Sequence, residues 1–310
     1  MTEINLPLVS IALAAYNGQK YIEKQLISLI NQDYKNIEIV ISDDCSTDGT
    51  WDILESYAKK DSRIRLLPRD FNRGYVNNFI RVFGECRGEF ISPSDQDDIW
   101  YPEKTRRLVE CLGDAMLVYG NNRLIDENGD SLGKTLFDVF KGKMIQGSDP
   151  RNLLFCNSIP GHTMLFRKNI LSISDNFASS SYIDWLIALL AAKEGGIKYV
   201  NEVLVDWRQH VHSFTADAQK ENSLGRKKRL KTEEANLNLF SSVPGEYQDF
   251  FLSAKKSWSA WRNSYIDFSM FIFVLRHKKI THKFYSTRFP EIKYVLGYKL
   301  KKLIRPNYYE

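Results

Sequence analysis

Cysteine is sparse in this 310-residue chain, and its placement excludes two classes of protein. Cys45, Cys86, Cys111 and Cys156 have no short paired spacing of the kind that holds zinc, and four thiols over such a length do not make a disulfide scaffold. Scattered thiols suit a reducing cytoplasm. Long hydrophobic runs are also lacking: the longest lies near Phe268 to Leu275, well short of the ~20 apolar residues that cross a bilayer. The start, Met1-Thr-Glu-Ile-Asn5, has neither the basic residues nor the apolar stretch of a signal peptide, so a cytoplasmic protein is expected. No internal repeat is present. Acidic residues are scarce in the tail. From Phe251 onward thirteen Lys/Arg face only Asp267, Glu291 and Glu310, a balance of +10, which leaves −5 on the first 250 residues of an overall +5. An acidic body and a basic tail point to two jobs.

What is present suits a globular α/β protein: 43% hydrophobic and 26% charged residues supply a core and a soluble surface. Val9 to Ala14, Ile37 to Ser42, Ile64 to Leu67 and Gly88 to Ser92 read as buried strands. Helical periods separate them over Tyr21 to Ile30, Thr50 to Lys59 and Tyr75 to about Cys86. This alternation predicts a mostly parallel, Rossmann-like sheet flanked by helices. Ligands of such sheets bind beyond the carboxyl ends of the strands, where Asn17, Asp43-Asp44 and Asp95-Asp97 fall. Further on, Lys104 to Leu112 reads as a helix, Ala115 to Gly120 as a strand and Asp126-Glu-Asn-Gly129 as a hairpin turn. Residues 163 to 166 and Val200 to Val205 read as strands, and Tyr182 to about Lys193 as an apolar helix.

The stretch Ser94-Asp-Gln-Asp-Asp-Ile-Trp100 stands out, because three carboxylates lie where a strand ends and the chain turns. Each close pair repels by about 1 kcal/mol or more, depending on the local dielectric. A hard divalent cation, Mg²⁺ or Mn²⁺, removes that cost and binds phosphate oxygens as well. Alternatively, the stretch is an acidic loop capping the helix after Pro102. Asp43-Asp44 likewise reads as a site or as a capped turn.

These stretches together carry a resemblance. The ordered set Ala14-Ala-Tyr-Asn-Gly18, Ser42-Asp-Asp-Cys-Ser-Thr-Asp-Gly-Thr50, Asn72-Arg-Gly74, Ser94 to Trp100, Ile183-Asp-Trp185 and Arg208-Gln-His210 resembles the family-2 glycosyltransferases of the GT-A fold. Within them it is similar to the bacterial rhamnosyltransferase-like enzymes of surface polysaccharide synthesis. The resemblance covers about residues 7 to 215 and implies an inverting, metal-dependent transfer. It divides the chain into a catalytic domain over 1–215, with a nucleotide-sugar half to about 100 and an acceptor half after it, and a basic, aromatic-rich helical extension over 216–310.

By the resemblance, Asp97 is the direct ligand of the divalent cation. Asp95 meets the ribose or the metal, and Asp98, Trp100 and Trp185 support the site. Ala15, Tyr16, Asn17 and Gln96 line the nucleotide pocket. Asp44, with Asp43 as second choice, accepts the imide N–H of a uracil or thymine. Asp184 takes the general-base position; the alternative for this residue is helix capping. Arg208 is a candidate for the diphosphate as a bidentate donor, and Arg73 is either a second one or a solvated loop arginine. His210 is a candidate metal ligand, with His212 close behind it. The implied donor is dTDP-rhamnose, with UDP-glucose, UDP-galactose or a UDP-N-acetylhexosamine as alternatives, and the implied acceptor a lipid-linked saccharide. A sugar-nucleotide pyrophosphorylase would need a Gly-rich basic loop after the first strand, which Ala14 to Gly18 is not. A catalytically silent membrane-associated protein is the remaining competitor.

In the tail, Trp258, Trp261, Tyr265, Phe268, Ile272 and Leu275 follow a helical spacing, and a second helix is expected after Pro290. Such a stripe either docks on the body of the protein or lies on anionic lipid at the inner face of the cell membrane. The exposed aromatics could equally serve a homodimer. No nucleic acid is expected as partner.

Overall fold

The computed structural model describes residues 6–173, 182–210, 223–284 and 289–304; the expected boundary near 215, Met1 to Asn5 and His212 lie outside the described residues. These form two compact units, one of residues 6–148, 158–173 and 182–209, the other of 149–157 with the residues from His210 onward.

The first unit is built on a nine-stranded sheet. Its leading half alternates β1 (Val9–Ala15), α1 (Ile22–Ile30), β2 (Ile37–Asp43), α2 (Thr50–Ala58), β3 (Ile64–Leu66), α3 (Tyr75–Glu85) and β4 (Phe90–Ser94). These strands are nearly continuous runs of apolar residues because helices cover both faces of a parallel sheet. Val9, Ile11, Leu13, Ile39 and Ile41 are fully buried, and Leu26, Leu29 and Leu54 of the helices join the same core. On α3, Phe79 and Phe83 are buried, and Phe83 meets the Phe166 ring edge to face.

The chain then turns through β5 (Ile99–Trp100), α4 (Lys104–Leu112), β6 (Leu117–Ile125), β7 (Ser131–Thr135), α5 (Leu136–Val139), β8 (Met164–Arg167), α6 (Ile183–Glu194) and β9 (Ile197–Arg208). Sheet order is β3-β2-β1-β4-β8-β6-β9-β5, with β7 on β6. Most of the ladder is parallel, in β1 with β2 and β4, β2 with β3 and β6 with β9; β8, β5 and β7 pair antiparallel.

Register places the site. Ala15 lies opposite Asp43, and Leu13 opposite Ser94, so the residues that follow β1, β2 and β4 emerge side by side at one edge. Pairing of Ile99 with Asp206 and Trp100 with Val205 brings the end of β9 to the same edge.

The second unit is helical: α7 (Ser223–Ser242), α8 (Gln248–Asn263), α9 (Ser269–Thr281) and α10 (Tyr298–Ile304), with a 3₁₀ turn over Pro290–Tyr294. The single aromatic helix expected over 258–275 is corrected here. The helix stops at Asn263 and a new one starts at Ser269, whose N–H donates to Asp267 Oδ1 at 2.9 Å. Trp258 and Trp261 are buried, whereas Tyr265, Phe268, Ile272 and Leu275 are exposed. After Pro290 the chain makes a turn and then a short helix, with Ile292, Leu303 and Ile304 exposed. Among the described residues no helix is long and apolar enough to cross a membrane.

Candidate active site

The turn after β1 is fixed by the turns beside it. Asn17 adopts a left-handed conformation, φ 48°, which asparagine tolerates better than most residues. Its backbone N–H donates to Ser46 Oγ at 2.9 Å, and its Oδ1 accepts from Thr47 N at 2.8 Å. Gln96 reaches across from the acidic turn and clasps Tyr16, accepting from its N at 2.8 Å and donating to its O at 2.9 Å. Ala15 is buried, while the Tyr16 ring stays exposed.

Asp43 and Asp44 are both buried and both engaged. Asp43 accepts from the Ser46 N–H and hydroxyl and pairs with Arg69 at 3.2 Å. Asp44 accepts from the backbone N–H groups of Arg73 at 2.6 Å and Gly74 at 2.8 Å. Gly74 has φ 79°, a conformation that strains any residue with a Cβ. Asp44 thus fastens the 72–74 loop to the end of β2, with only second lone pairs left for a ligand. The Arg73 guanidinium pairs with Asp70 and lies over the Phe71 ring.

Three ligand-type side chains converge beyond β4. The donor atoms of Asp95, Asp98 and His162 all lie within 4.8 Å of one another. His162, 3% exposed in the 3₁₀ turn Gly161–Thr163, places Nδ1 3.4 Å from Asp95 Oδ2 and 3.6 Å from Asp98 Oδ2. Its Nε2 is 3.0 Å from Asn122 Nδ2, and its ring lies against Trp207. Asp98 Oδ1 accepts from the Arg208 N–H at 3.0 Å. Its Oδ2 is buried without a hydrogen bond, a state that costs about 1–3 kcal/mol, and more for a charged group. A cation among these three residues would supply the missing partner, since two carboxylates and one imidazole are a donor set that can hold a divalent metal ion. The electrostatics agree. Burial pushes the Asp98 carboxyl up, His162 opposes this, and Asp97 and Asp95 add to it. Burial disfavours the His162 imidazolium, but Asp98 and Asp95 outweigh it and its pKa rises.

Beneath the cluster Lys104 is fully buried, donating to Ser92 Oγ at 3.0 Å with its ammonium 2.9 Å from the Trp100 ring centre. Burial draws its pKa well down, against the pull of Asp98. Tyr75, at the start of α3, shares the same field. Burial first, then Asp95, Asp184, Asp97 and Asp98, hold its proton on.

Asp184 lies in the first turn of α6, whose N-cap is Tyr182, with no side-chain capping bond. Its Oδ1 accepts from Trp185 N at 2.7 Å, and the Gly161 N–H also donates to the carboxylate. The side chain keeps some surface toward solvent but is otherwise walled by protein. That burial, with Asp95 adding to it and the two N–H donors and His162 opposing, pushes the carboxyl up to about 7. Unfolded, the group titrates near ~4. Its contribution to stability is therefore fully present below about pH 4 and lost as pH rises through about 7. In EDTA, Asp184→Asn should accordingly gain in melting temperature relative to the parent as pH goes from about 5 to about 8. A difference independent of pH would contradict this environment.

The structure thus gathers Asp95, Asp98 and Asp184 in one field, and sets Gln96, Tyr16 and Asn17 at the adjoining turn. Asp97 is partly buried and stands outside the converging trio, and His210 falls in the other unit. Arg208 ends β9. It is 2% exposed, and its guanidinium donates to the carbonyls of Asp97 at 2.8 Å and of Asp126 and Glu127 at 3.1 Å. Held over the Tyr21 ring, it braces the turns at Asp97 and at Asp126 and Glu127 through Nε and Nη1. Trp100 is buried under the cluster as a support, and Trp185 follows the base position on α6. His162, Lys104, Tyr75 and Asn122 went unread. The one signal was Pro160-Gly161-His162, a turn ending on a histidine just before a strand.

Comparison with known proteins places the chain in a family. The family model described as glycosyl transferase family 2 matches residues 10–172. The chain is similar to the E. coli UDP-Glc:alpha-D-GlcNAc-diphosphoundecaprenol beta-1,3-glucosyltransferase WfaP, 30% identical over 73% of this chain and 86% of that protein. It is also similar to the Shigella flexneri dTDP-rhamnosyl transferase RfbG, 37% identical over 41% of this chain and 49% of that one. Among solved structures, S. aureus TarS 1-349 in complex with UDP-GlcNAc superposes with a TM-score of 0.60 over 90% of this chain and 74% of that one, at 17% identity. The sheet and its helices have the GT-A architecture, and the chain belongs to glycosyl transferase family 2.

Proposed function

We propose that this protein transfers a hexosyl unit, with inversion, from a pyrimidine nucleoside diphosphate sugar to a hydroxyl of a lipid-linked saccharide, at the inner face of a bacterial membrane. One observation carries the reading: Asp184, an isolated carboxyl held by two backbone N–H groups, shares a field with the Asp95–Asp98–His162 group at the carboxyl end of β4. The acceptor hydroxyl must lose a proton as the new bond forms, and Asp184 is positioned to take it. The raised pKa makes its anion a stronger base than an ordinary carboxylate. The Gly161 and Trp185 amides fix the carboxylate so that it need not reorganise during transfer. A divalent cation held by Asp95, Asp98 and His162 supplies the positive charge that a departing nucleoside diphosphate requires. Gln96, by clasping Tyr16, holds together the turn on which the base and ribose would rest.

For the donor, dTDP-rhamnose is the first reading, supported by a partial likeness, over 41% of this chain, to a dTDP-rhamnosyl transferase. UDP-glucose is the second, supported by the longer match to a UDP-glucose enzyme. A thermal-shift panel of dTDP-rhamnose, UDP-glucose, UDP-N-acetylglucosamine and GDP-mannose, each with Mn²⁺, Mg²⁺ or EDTA, separates them. A donor at about 100 times its Kd stabilises the fold by about 2.7 kcal/mol. One pyrimidine sugar should stand out, and only with metal. Equal stabilisation by GDP-mannose, or none by any donor, contradicts the proposal.

A further inference from the structure

The helical unit holds a cavity of about 680 Å³ between α7, α8 and α10, a size that suits a small ligand. Its lining is strongly positive: Lys231 from α7, Lys255 and Arg262 from α8, and Lys299 and Lys302 from α10 face it, against the single carboxylate of Glu234. Among the described residues, none of these four lysines makes an ion pair with a carboxylate. The floor is aromatic, from Trp258 and Tyr298, both buried. Arg262 lies over the Tyr298 ring, with its guanidinium carbon 3.5 Å from the ring centre. Stacking fixes the arginine plane, so its N–H edge can meet an anion with little further loss of freedom. On the same helix, outside the cavity lining, burial draws Lys301 down to about 8, and Lys293 adds to this. Five cations gathered against one carboxylate repel one another, and an anion of high charge density relieves that repulsion.

The α10 helix adds a second observation. It carries Lys299 and Lys302 to the cavity, and the next two residues, Leu303 and Ile304, are 71% and 59% exposed. A cationic cavity adjoined by bare apolar side chains matches an amphiphile, with a charged head and an apolar chain. We propose that this cavity binds the phosphate- or diphosphate-bearing head group of a membrane lipid. The proposal deepens the membrane-surface reading above and is tested without donor or turnover, so its failure would leave the transferase assignment standing.

The test uses the full chain and two probes. Inorganic diphosphate, followed by tryptophan fluorescence, should bind saturably to the parent and at least tenfold more weakly to Lys255→Gln/Lys302→Gln. Lys255→Arg/Lys302→Arg, which keeps the charge, should bind as the parent does, and circular dichroism should show all three folded. In flotation, the parent should rise with phosphatidylcholine vesicles only when they contain phosphatidic acid, and the glutamine variant should not. Diphosphate binding that is absent, or unchanged in the folded glutamine variant, overturns the site. Diphosphate binding lost in that variant but without flotation assigns the cavity to a soluble phosphate ligand and overturns the lipid. Equal displacement by a short single-stranded oligonucleotide overturns it in favour of a general polyanion surface.

Discussion

Replacing Asp184 by Asn is expected to lower kcat by ~10²–10⁴-fold while leaving donor affinity within about twofold of the parent. The substitution keeps an acceptor oxygen for the Trp185 N–H, so the start of α6 should stay as it is. It removes only the group that can take the acceptor's proton. The two effects separate cleanly because Asp184 is absent from the converging cation group. Steady-state kinetics with a lipid-linked acceptor, beside donor titration followed by calorimetry, checks both. Near-parental turnover would move the base elsewhere, and Tyr75, in the same field, would be the next residue to replace.

Asp98→Asn should weaken cation binding by at least the ~10–100-fold that loss of even an outer partner costs a metal site. The amide oxygen of the substituted side chain would still accept from the Arg208 N–H, so the turn should hold, but the buried oxygen that now accepts no hydrogen bond would lose its charge. Asp97→Asn should have the smaller effect, because Asp97 acts on the trio through space and does not belong to it. Mn²⁺ titration by electron paramagnetic resonance, with and without nucleoside diphosphate, ranks the two. If Asp97→Asn abolishes cation binding and Asp98→Asn leaves it unchanged, the sequence reading of Asp97 as ligand is right and the geometric one fails.

The contrast between Asp97 and Asp98 shows where sequence reasoning reaches its end. That Ser94 to Trp100 lies at a strand end was legible, because buried strands and periodic helices alternate ahead of it. Which carboxylate turns inward was not, since it depends on β5 pairing with β9 and drawing the Arg208 N–H onto Asp98. The family resemblance also marked Asp184, but not the Gly161 amide that donates to it from another turn. His162 escaped because a single histidine far along the chain carries no pattern until the sheet folds it against Asp95. Arg208 shows a related limit: the sequence marks an arginine after a strand but not the backbone carbonyls that its Nε and Nη1 reach. In the tail the apolar spacing runs on unbroken across Ser264 to Phe268, and only the Asp267 cap shows that one helix has ended and another begun.

The most direct test of the account is a crystal grown with nucleoside diphosphate and Mn²⁺, measured for anomalous scattering. The account predicts a manganese peak within bonding distance of Asp95 and Asp98, the diphosphate on its open side, and the Asp184 carboxylate facing the space left for the sugar. A peak held by other residues, or a nucleotide bound away from the ends of β1, β2 and β4, would contradict it.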